Sequence, residues 1–194
     1  MASELKAVCV YCGSSPGLKP EYREAAYAFG AYLAGQGITT VYGGGNVGLM
    51  GAVADGALSA QGQVVGVIPR ALREKELAHT GLTELIVVES MHERKLEMAR
   101  RADAFVALPG GIGTLEEIFE VFTWTQLGFH LKPCAFLNVA GFYTSLIAFL
   151  EQVVAQGFLR TEHLASVAVD DDMARLVTRL AAYEHVDYAK WLER

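Results

Sequence analysis

The feature that most constrains the fold is an alternation along the chain. Short apolar segments rich in β-branched residues are each followed by a segment with helical spacing. Residues 6–12, 38–42 and 63–68 are predicted strands, and residues 21–35 and 47–60 are the predicted helices between them. Repeated strand–helix units form a parallel sheet covered by helices on both faces. The sequence therefore predicts an α/β, Rossmann-like doubly wound sheet.

The same alternation continues to the end of the chain. Further strands are predicted at 84–88, 103–108, 134–137 and 166–169, and helices at 91–101, 114–127, 143–155 and from a cap at Asp170 or Asp171 to about 183. Ser90 and Glu93 have the spacing of a capping box at the start of one helix. No internal repeat, low-complexity segment or linker interrupts the pattern. Residues 1–194 are thus expected to form a single nucleotide-binding domain.

Composition narrows the class of protein. Hydrophobic residues make up 52% of the chain and charged residues 20%, with a mean hydropathy of +0.26. Such values fit a sheet buried on both faces, or a surface buried against a partner subunit. The net charge of -6 and the lack of a basic tract argue against a nucleic-acid-binding protein.

Apolar segments, cysteine number and histidine spacing predict the cellular location and the metal content. The sequence shows no signal peptide and no apolar run that could span a membrane, so no membrane partner is expected. Three cysteines do not suggest a disulfide framework, which favours a reducing cytoplasm. Cys9 and Cys12 lie three apart in a strand and should point to opposite faces, as core residues. The scattered histidines predict no metal site.

The segment Pro109 to Thr114, Pro-Gly-Gly-Ile-Gly-Thr, is the strongest candidate site. It joins a strand to a helix at the edge of the sheet where such folds bind ligands. Glycine allows a phosphate to approach the backbone, and the helix start supplies free N–H groups and a favourable dipole. The alternative is a tight turn with no ligand. Glu117, three residues after Thr114, fits either catalysis or a capping box.

Other loops are predicted at the same edge. Residues 13–15, with Ser14, follow one strand, and residues 43–46, with Gly44 and Gly45, follow another. Gly43, Gly45 and Gly48 have the spacing of a dinucleotide fingerprint, but residues 64–69 lack the acidic residue that accompanies it. The loop is therefore interpreted as a second wall for a mononucleotide. Adjacent helix residues point about 100° apart, so Glu116 and Glu117 should not both face the cleft.

The segment Met91 to Lys95 opens a helix directly after a strand. The planar guanidinium of Arg94 could hold a phosphate or sugar oxygen. The alternative is a solvated helix face, in which Arg94 pairs with Glu97 and Glu97 pairs with Arg101.

The segments 91–95 and 109–117 together resemble the LOG ("lonely guy") family, long labelled lysine decarboxylases. Residues 43–51, 123–128 and 137–138 also match, and the resemblance runs from residue 8 to about 182. Members of that family are phosphoribohydrolases. They cleave the N-glycosidic bond of cytokinin riboside 5'-monophosphates, and often of AMP, to release the free base. The resemblance implies the same hydrolase activity here, a homodimer, and no cofactor.

The resemblance also implies roles for individual residues. Arg94 and Glu117 become the catalytic pair. Substrate contacts are expected at Glu76, Lys95, Gly110, Gly111, Ile112, Gly113, Thr114, Leu115, Glu116 and Thr123, with Ser14, Gly44, Gly45 and Met91 completing the candidate site. Glycosidic cleavage passes through an oxocarbenium-like transition state, which a carboxylate can stabilise or supply with an activated water. Glu117 is the candidate for that carboxylate, and Arg94 would orient both it and the ribose.

Two other functions stay open at this point. One is a nucleotide or molybdenum-cofactor binding protein without catalysis. The other is a pyridoxal-phosphate decarboxylase, which needs a lysine that forms a Schiff base, and Lys95 is the candidate near the site. The preference between AMP and prenylated AMP is also open.

Overall fold

The computed structural model describes residues 5–73 and 78–185. Seven strands occur in it: β1 (Ala7–Tyr11), β2 (Thr39–Tyr42), β3 (Val64–Pro69), β4 (Glu84–Val88), β5 (Ala104–Ala107), β6 (Cys134–Leu137) and β7 (Ala168–Asp170). The helices are α1 (Pro20–Gly35), α2 (Gly48–Ser59), α3 (Arg70–Arg73), α4 (Met91–Arg101), α5 (Ile112–Gln126), α6 (Thr144–Ala155), α7 (Thr161–Ala165) and α8 (Met173–Ala181), with a 3₁₀ turn at Val139–Gly141.

The strands form one parallel sheet in the order β4-β3-β2-β1-β5-β6-β7. The predicted α/β fold is confirmed. The strand order changes direction between β1 and β5, which are adjacent and pair Tyr11 with Ala107. In doubly wound sheets, the loops on either side of such a switch diverge and leave a crevice at the carboxyl ends of the strands. The loops after β1 and β5 therefore define where a ligand site should lie.

Helices cover both faces of the sheet, and each face has its own apolar core. One core contains Phe29 of α1, Val53 of α2 and Leu176 of α8, and the other contains Met98 of α4 and Ile118 of α5. Residues on a strand alternate between faces, so neighbouring positions of β1 contribute to different cores. Of the described helices, none is long and apolar enough to cross a membrane.

The two cysteines of the C-x-x-C segment lie where strand geometry predicts. Cys9 belongs to the core under α4 and α5, and Cys12 to the core on the other face. Both thiols are free, and burial raises the pKa of each. A raised pKa leaves little reactive thiolate, so the prediction of core packing is confirmed.

Several helix boundaries in the structure differ from those predicted from the sequence. Asp172, not Asp170 or Asp171, caps α8, because its carboxylate accepts the Arg175 N–H at 2.8 Å. Asp170 instead ends β7 and pairs with the Arg175 side chain at 2.7 Å. The short helix α7 was not predicted. By contrast, β4 and α4 have the predicted bounds, and Ser90 caps α4 by accepting the Glu93 N–H at 3.1 Å.

Candidate active site

A cleft of about 360 Å³ lies at the carboxyl edge of the sheet, next to the switch between β1 and β5. This volume falls within the range of small-molecule sites. Its lining residues come from the ends of β1 and β5 and from the starts of four helices. They are Cys12, Gly13, Ser14, Met50, Leu72, Met91, Arg94, Gly111, Ile112, Gly113, Thr114, Glu116 and Glu117.

The glycine turn after β5 is held against the loop after β1. The Gly13 N–H donates to the Pro109 carbonyl at 3.0 Å. A Cβ added to Gly110 would lie 2.1 Å from Oγ1 of Thr114 and 2.9 Å from the Gly13 nitrogen. Gly110 is thus required by packing within the protein.

Gly111 and Gly113 differ from Gly110. Within the described chain, a Cβ at either position would meet no atom within 4 Å. Neither has a left-handed backbone, and both line the cleft. Neither packing nor conformation therefore explains glycine at these positions. Glycine at both positions leaves the backbone open to the cleft, where a ligand could approach it closely.

Helix α5 begins two residues earlier than predicted, and this earlier start excludes a capping role for Glu117. The N-cap is Gly111, which carries no side chain, and the helix begins at Ile112. Thr114 is therefore already the third helical residue and is buried. The capping box of Thr114 with Glu117 does not form, so the alternative that Glu117 serves only as a cap is wrong. Glu117 is half-buried at the cleft.

Charges from α4 and α5 act on the floor of the cleft. Burial raises the pKa of the Cys12 thiol most, the carboxylate of Glu117 raises it further, and Arg94 lowers it. The same two charges act in the same directions on the pKa of Cys9. Glu117 and Arg94 therefore both lie close to the end of β1, and the structure brings the predicted catalytic pair together in one cleft.

Arg94 is fixed by the loop after β2. The residue is 5% exposed, and its Nη2 donates to the Gly43 carbonyl at 3.0 Å. A Cβ on Gly43 would lie 1.9 Å from Nη2, so glycine is needed for this approach. Nε is buried and has no hydrogen-bond partner among the residues described. An unpaired donor in a cleft is costly until an acceptor binds, so Arg94 is suited to an oxygen of a ligand.

The surface alternative for Arg94 is consequently wrong. Glu97 does pair with Arg101 at 2.7 Å, as that alternative expected, but Arg94 points away from this exposed pair. Two arginines of α4 therefore lie in different surroundings: Arg101 is on the surface, and Arg94 is in the cleft.

Lys95, the neighbour of Arg94, takes a different direction. Its Nζ contacts Oε1 of Glu116 at 2.5 Å and Oε2 of Glu120 at 3.0 Å. Burial by itself lowers the pKa of Lys95, but these two carboxylates raise it above its usual value. The lysine is therefore a paired ammonium that joins α4 to α5 beside the cleft.

The second glycine loop supports the site without lining it. The carbonyl of Gly44 accepts the His79 N–H at 3.0 Å, and Gly45 forms a bridge with Ala78. A Cβ on Gly48 would lie 2.3–2.6 Å from the backbone of Ser14 and Ser15. Gly43 and Gly48 allow close packing between segments of the protein, which accounts for two of the three fingerprint-spaced glycines without a dinucleotide.

Comparisons with known proteins agree over most of the chain. The family described as "Possible lysine decarboxylase" matches residues 50–180. The protein is 49% identical over 181 residues to the "Probable cytokinin riboside 5'-monophosphate phosphoribohydrolase LOGL9" of Oryza sativa subsp. japonica, covering 93% of this chain and 80% of the relative. It is 47% identical over 182 residues to cytokinin riboside 5'-monophosphate phosphoribohydrolase LOG7 of Arabidopsis thaliana, covering 94% and 84%. The chain belongs to the LOG family.

Solved structures share the fold of this LOG-family protein. The X-ray structure of TM1055 matches with a TM-score of 0.72 and 26% identity, covering 92% of this chain and 100% of that one. The molybdenum cofactor carrier protein of Chlamydomonas reinhardtii matches with a TM-score of 0.70 and 20% identity, covering 93% and 100%. At that identity, the second match concerns the fold alone.

The cleft collects most, but not all, of the predicted site residues. Those that line it are Ser14, Met91, Arg94, Gly111, Ile112, Gly113, Thr114, Glu116 and Glu117. Gly110 instead lines an adjoining pocket of about 240 Å³. Glu116 and Glu117 both border the cleft, contrary to the helical-wheel expectation. The cleft spans adjacent positions of α5, while the Glu116 carboxylate turns to Lys95.

The remaining predicted residues lie off the lining or outside the described chain. Lys95 is turned toward α5, Leu115 packs against the core, and Thr123 donates its hydroxyl to the Phe119 carbonyl at 2.7 Å. Gly44 and Gly45 are buried and do not belong to the described lining. Glu76 lies outside the described residues.

Sequence reasoning missed three lining residues, Cys12, Met50 and Leu72, while Gly13 belongs to the predicted loop 13–15. Cys12 directly follows β1 and could have been found from the rule that ligands bind at strand ends. Met50 lies in the first turn of α2 and Leu72 in the short helix α3. An apolar residue in an irregular segment gives no local signal that it faces a ligand.

Proposed function

We propose that this protein hydrolyses the N-glycosidic bond of nucleoside 5'-monophosphates, namely cytokinin riboside 5'-monophosphates and AMP. The products are the free base and ribose 5-phosphate. The proposal rests on one observation: Glu117, Arg94 and the glycine turn after β5 line the same cleft. The names of relatives at 47–49% identity support the same reaction.

The glycine turn is suited to the 5'-phosphate. Gly111 and Gly113 leave the backbone open, and the first N–H groups of α5 have no partner within the helix. An anion at a helix start is stabilised by roughly 0.3–1 kcal/mol at an exposed site, and more when partly buried. Anchoring the phosphate, which does not react, positions the sugar and lowers the entropic cost of reaching the transition state.

Glu117 and Arg94 are suited to the reacting end. As the bond between C1' and the base nitrogen breaks, positive charge develops on the sugar. The base leaves with the bonding electron pair and takes up a proton on that nitrogen. The Glu117 carboxylate stabilises the charge on the sugar and accepts a proton from the water whose oxygen bonds to C1', so that one water is consumed and its two parts end on the sugar and the base. Arg94, held by Gly43, directs its remaining donors to ribose oxygens.

The Schiff-base alternative conflicts with the position of Lys95. A Schiff base requires a neutral amine that faces the cofactor. The Lys95 ammonium is instead paired with Glu116 and Glu120, and its pKa is raised. The carrier alternative has weaker support than hydrolysis, because its structural relatives share 20–21% identity.

The decisive assay incubates the protein with AMP and with isopentenyladenosine monophosphate, and measures free adenine and free isopentenyladenine by chromatography. Release of base together with ribose 5-phosphate supports the proposal, and the ratio of kcat/KM values gives the preferred base. Tight nucleotide binding without any product would favour the carrier instead.

Gly113→Ala tests the phosphate site. We expect a KM for AMP at least about tenfold higher, because the new methyl group occupies the path of the phosphate. The free energy of unfolding should stay equal or rise by up to about 1 kcal/mol, because alanine favours the helix. Steady-state kinetics and thermal denaturation measure both effects.

Gly110→Ala is the matched comparison. Its Cβ would collide with Thr114 inside the protein, so a lower Tm is expected. An unchanged KM in Gly113→Ala would contradict a phosphate at this turn.

A homodimer forms part of the proposal. Ile112 is 82% exposed, and Phe129, 74% exposed, lies between exposed Leu127 and Leu131 after α5. Large exposed apolar side chains of this kind favour a protein partner. Light scattering after size-exclusion chromatography should give twice the mass of the chain, and a monomer would overturn this part.

The proposed location is the cytoplasm. The three free, buried thiols support it, since reducing compartments keep such thiols unpaired. Cell fractionation with an antibody to the protein tests it, and recovery in a secreted fraction would contradict it.

A further inference from the structure

Three carboxylates lie on the first three turns of α5: Glu116, Glu117 and Glu120. Residues four apart share a helix face, so Glu116 and Glu120 are neighbours, while Glu117 is turned about 100° toward the cleft. Carboxylates this close disfavour one another's ionised form. The catalytic role proposed for Glu117 requires it to be ionised, so the surrounding charges bear directly on activity.

Lys95 approaches this acidic face from α4. Its ammonium contacts both Glu116 and Glu120, and the residue is 7% exposed. A lysine is rarely buried to this degree unless it is paired. Burial opposes its charge and the two carboxylates favour it, with a raised pKa as the result.

The two adjacent cations of α4, Arg94 and Lys95, lie near different carboxylates of α5. Arg94 enters the cleft that Glu117 lines, and Lys95, about 100° further round the helix, meets the other two carboxylates. Although both cations come from neighbouring positions, only Arg94 lines the described cleft.

We propose that Lys95 is a positioning residue for the hydrolysis proposed above, on which this inference rests. It draws the Glu116 carboxylate toward Glu120 and compensates their charge, so that Glu117 ionises at a lower pH than it would beside unpaired acids. The charge of Glu117 acts on three groups at the end of β1: Cys9, Tyr11 and Cys12. Arg94 lines the same cleft, and Glu116 and Glu120 are neighbours of Glu117 along α5, paired with Lys95 of α4. The two thiols and the phenol have raised pKa values and stay neutral, so among the groups named here only those of α4 and α5 carry charge.

Lys95→Met keeps the length of the side chain and removes its charge. We expect the carboxyl titration of Glu117, followed by ¹³C NMR and assigned with Glu117→Gln, to move about one pH unit higher. The acid limb of the pH profile of kcat for AMP should move by the same amount. KM should change less than about threefold, because Lys95 does not line the cleft.

A second substitution separates charge from structure. Lys95→Met combined with Glu116→Gln restores the net charge of the cluster and should return the titration of Glu117 to its original pH. A purely structural role for Lys95 would leave the titration unmoved in both variants. A KM raised more than tenfold with an unmoved titration would instead make Lys95 a substrate contact, and either result overturns the proposal.

The single variant Glu116→Gln decides the matter if Lys95→Met does not fold. The Glu116 side chain is half exposed, so circular dichroism should show an intact fold. Loss of its negative charge should lower the pH at which Glu117 titrates, and an unmoved titration would overturn the proposal. The NMR measurement needs no turnover, so an inactive wild-type protein would refute the hydrolase and still leave the role of Lys95 decided.

Discussion

Glu117→Gln is expected to lower kcat for AMP by about 10³-fold while the protein stays folded. The glutamine retains the shape of the side chain but neither carries the negative charge that stabilises an oxocarbenium ion nor accepts a proton from water. Because the helix begins at Ile112 with Gly111 as its N-cap, the substitution removes no cap. Steady-state kinetics with product chromatography measure the loss, and thermal denaturation measures the stability.

Glu151→Gln is the matched control. Glu151 is an exposed residue of α6, a helix that does not contribute to the described lining of the cleft. The same chemical change there should alter kcat by less than twofold. If Glu117→Gln kept more than a tenth of the activity, the carboxylate would not take part in bond cleavage. If it bound AMP as tightly as the wild type without turnover, the loss would be assigned to the chemical step.

Those parts of the fold that depend on local patterns were predictable. The strand β4 and the helix α4 have the predicted ends, because a β-branched run is followed by a serine cap and a helical repeat. The sheet follows from repeated strand–helix units, and its switch point places the cleft. Glycine disfavours the interior of a helix, which is why the start of α5 was predicted two residues late. The structure accepts Gly113 inside the first turn of that helix.

Contacts between distant segments were not predictable from one sequence. Gly43 and Arg94 are 51 positions apart, yet the carbonyl of one receives a hydrogen bond from the other. The family resemblance implied that Lys95 contacts substrate, and one sequence carries no sign of its partners Glu116 and Glu120, which lie on another helix. Spacing along one helix gives the direction of a side chain relative to its neighbours. It does not give the element that the side chain will meet.

Arg94→Lys is expected to lower kcat/KM for AMP by about 100-fold, although it preserves the positive charge. Arginine can donate from Nη2 to the Gly43 carbonyl and still direct Nε and Nη1 elsewhere, because its donors are fixed in one plane. A lysine has one nitrogen on a flexible chain, so a bond to Gly43 competes with a bond to the ribose. The expected cost in the free energy of unfolding is about 1 kcal/mol, the value of one hydrogen bond.

Arg101→Lys on the same helix is the control, because Arg101 makes surface pairs with Glu84 and Glu97 and lies outside the cleft. Surface pairs contribute about 0–1 kcal/mol, so both stability and kcat/KM should be almost unchanged. If Arg94→Lys were equally active, charge alone would suffice in the cleft, and the planar guanidinium would have no part in orienting the ribose. A loss confined to Arg94 would instead show that the Gly43 loop acts in catalysis by fixing the direction of one arginine. The second glycine loop would then contribute to the reaction without contacting the nucleotide.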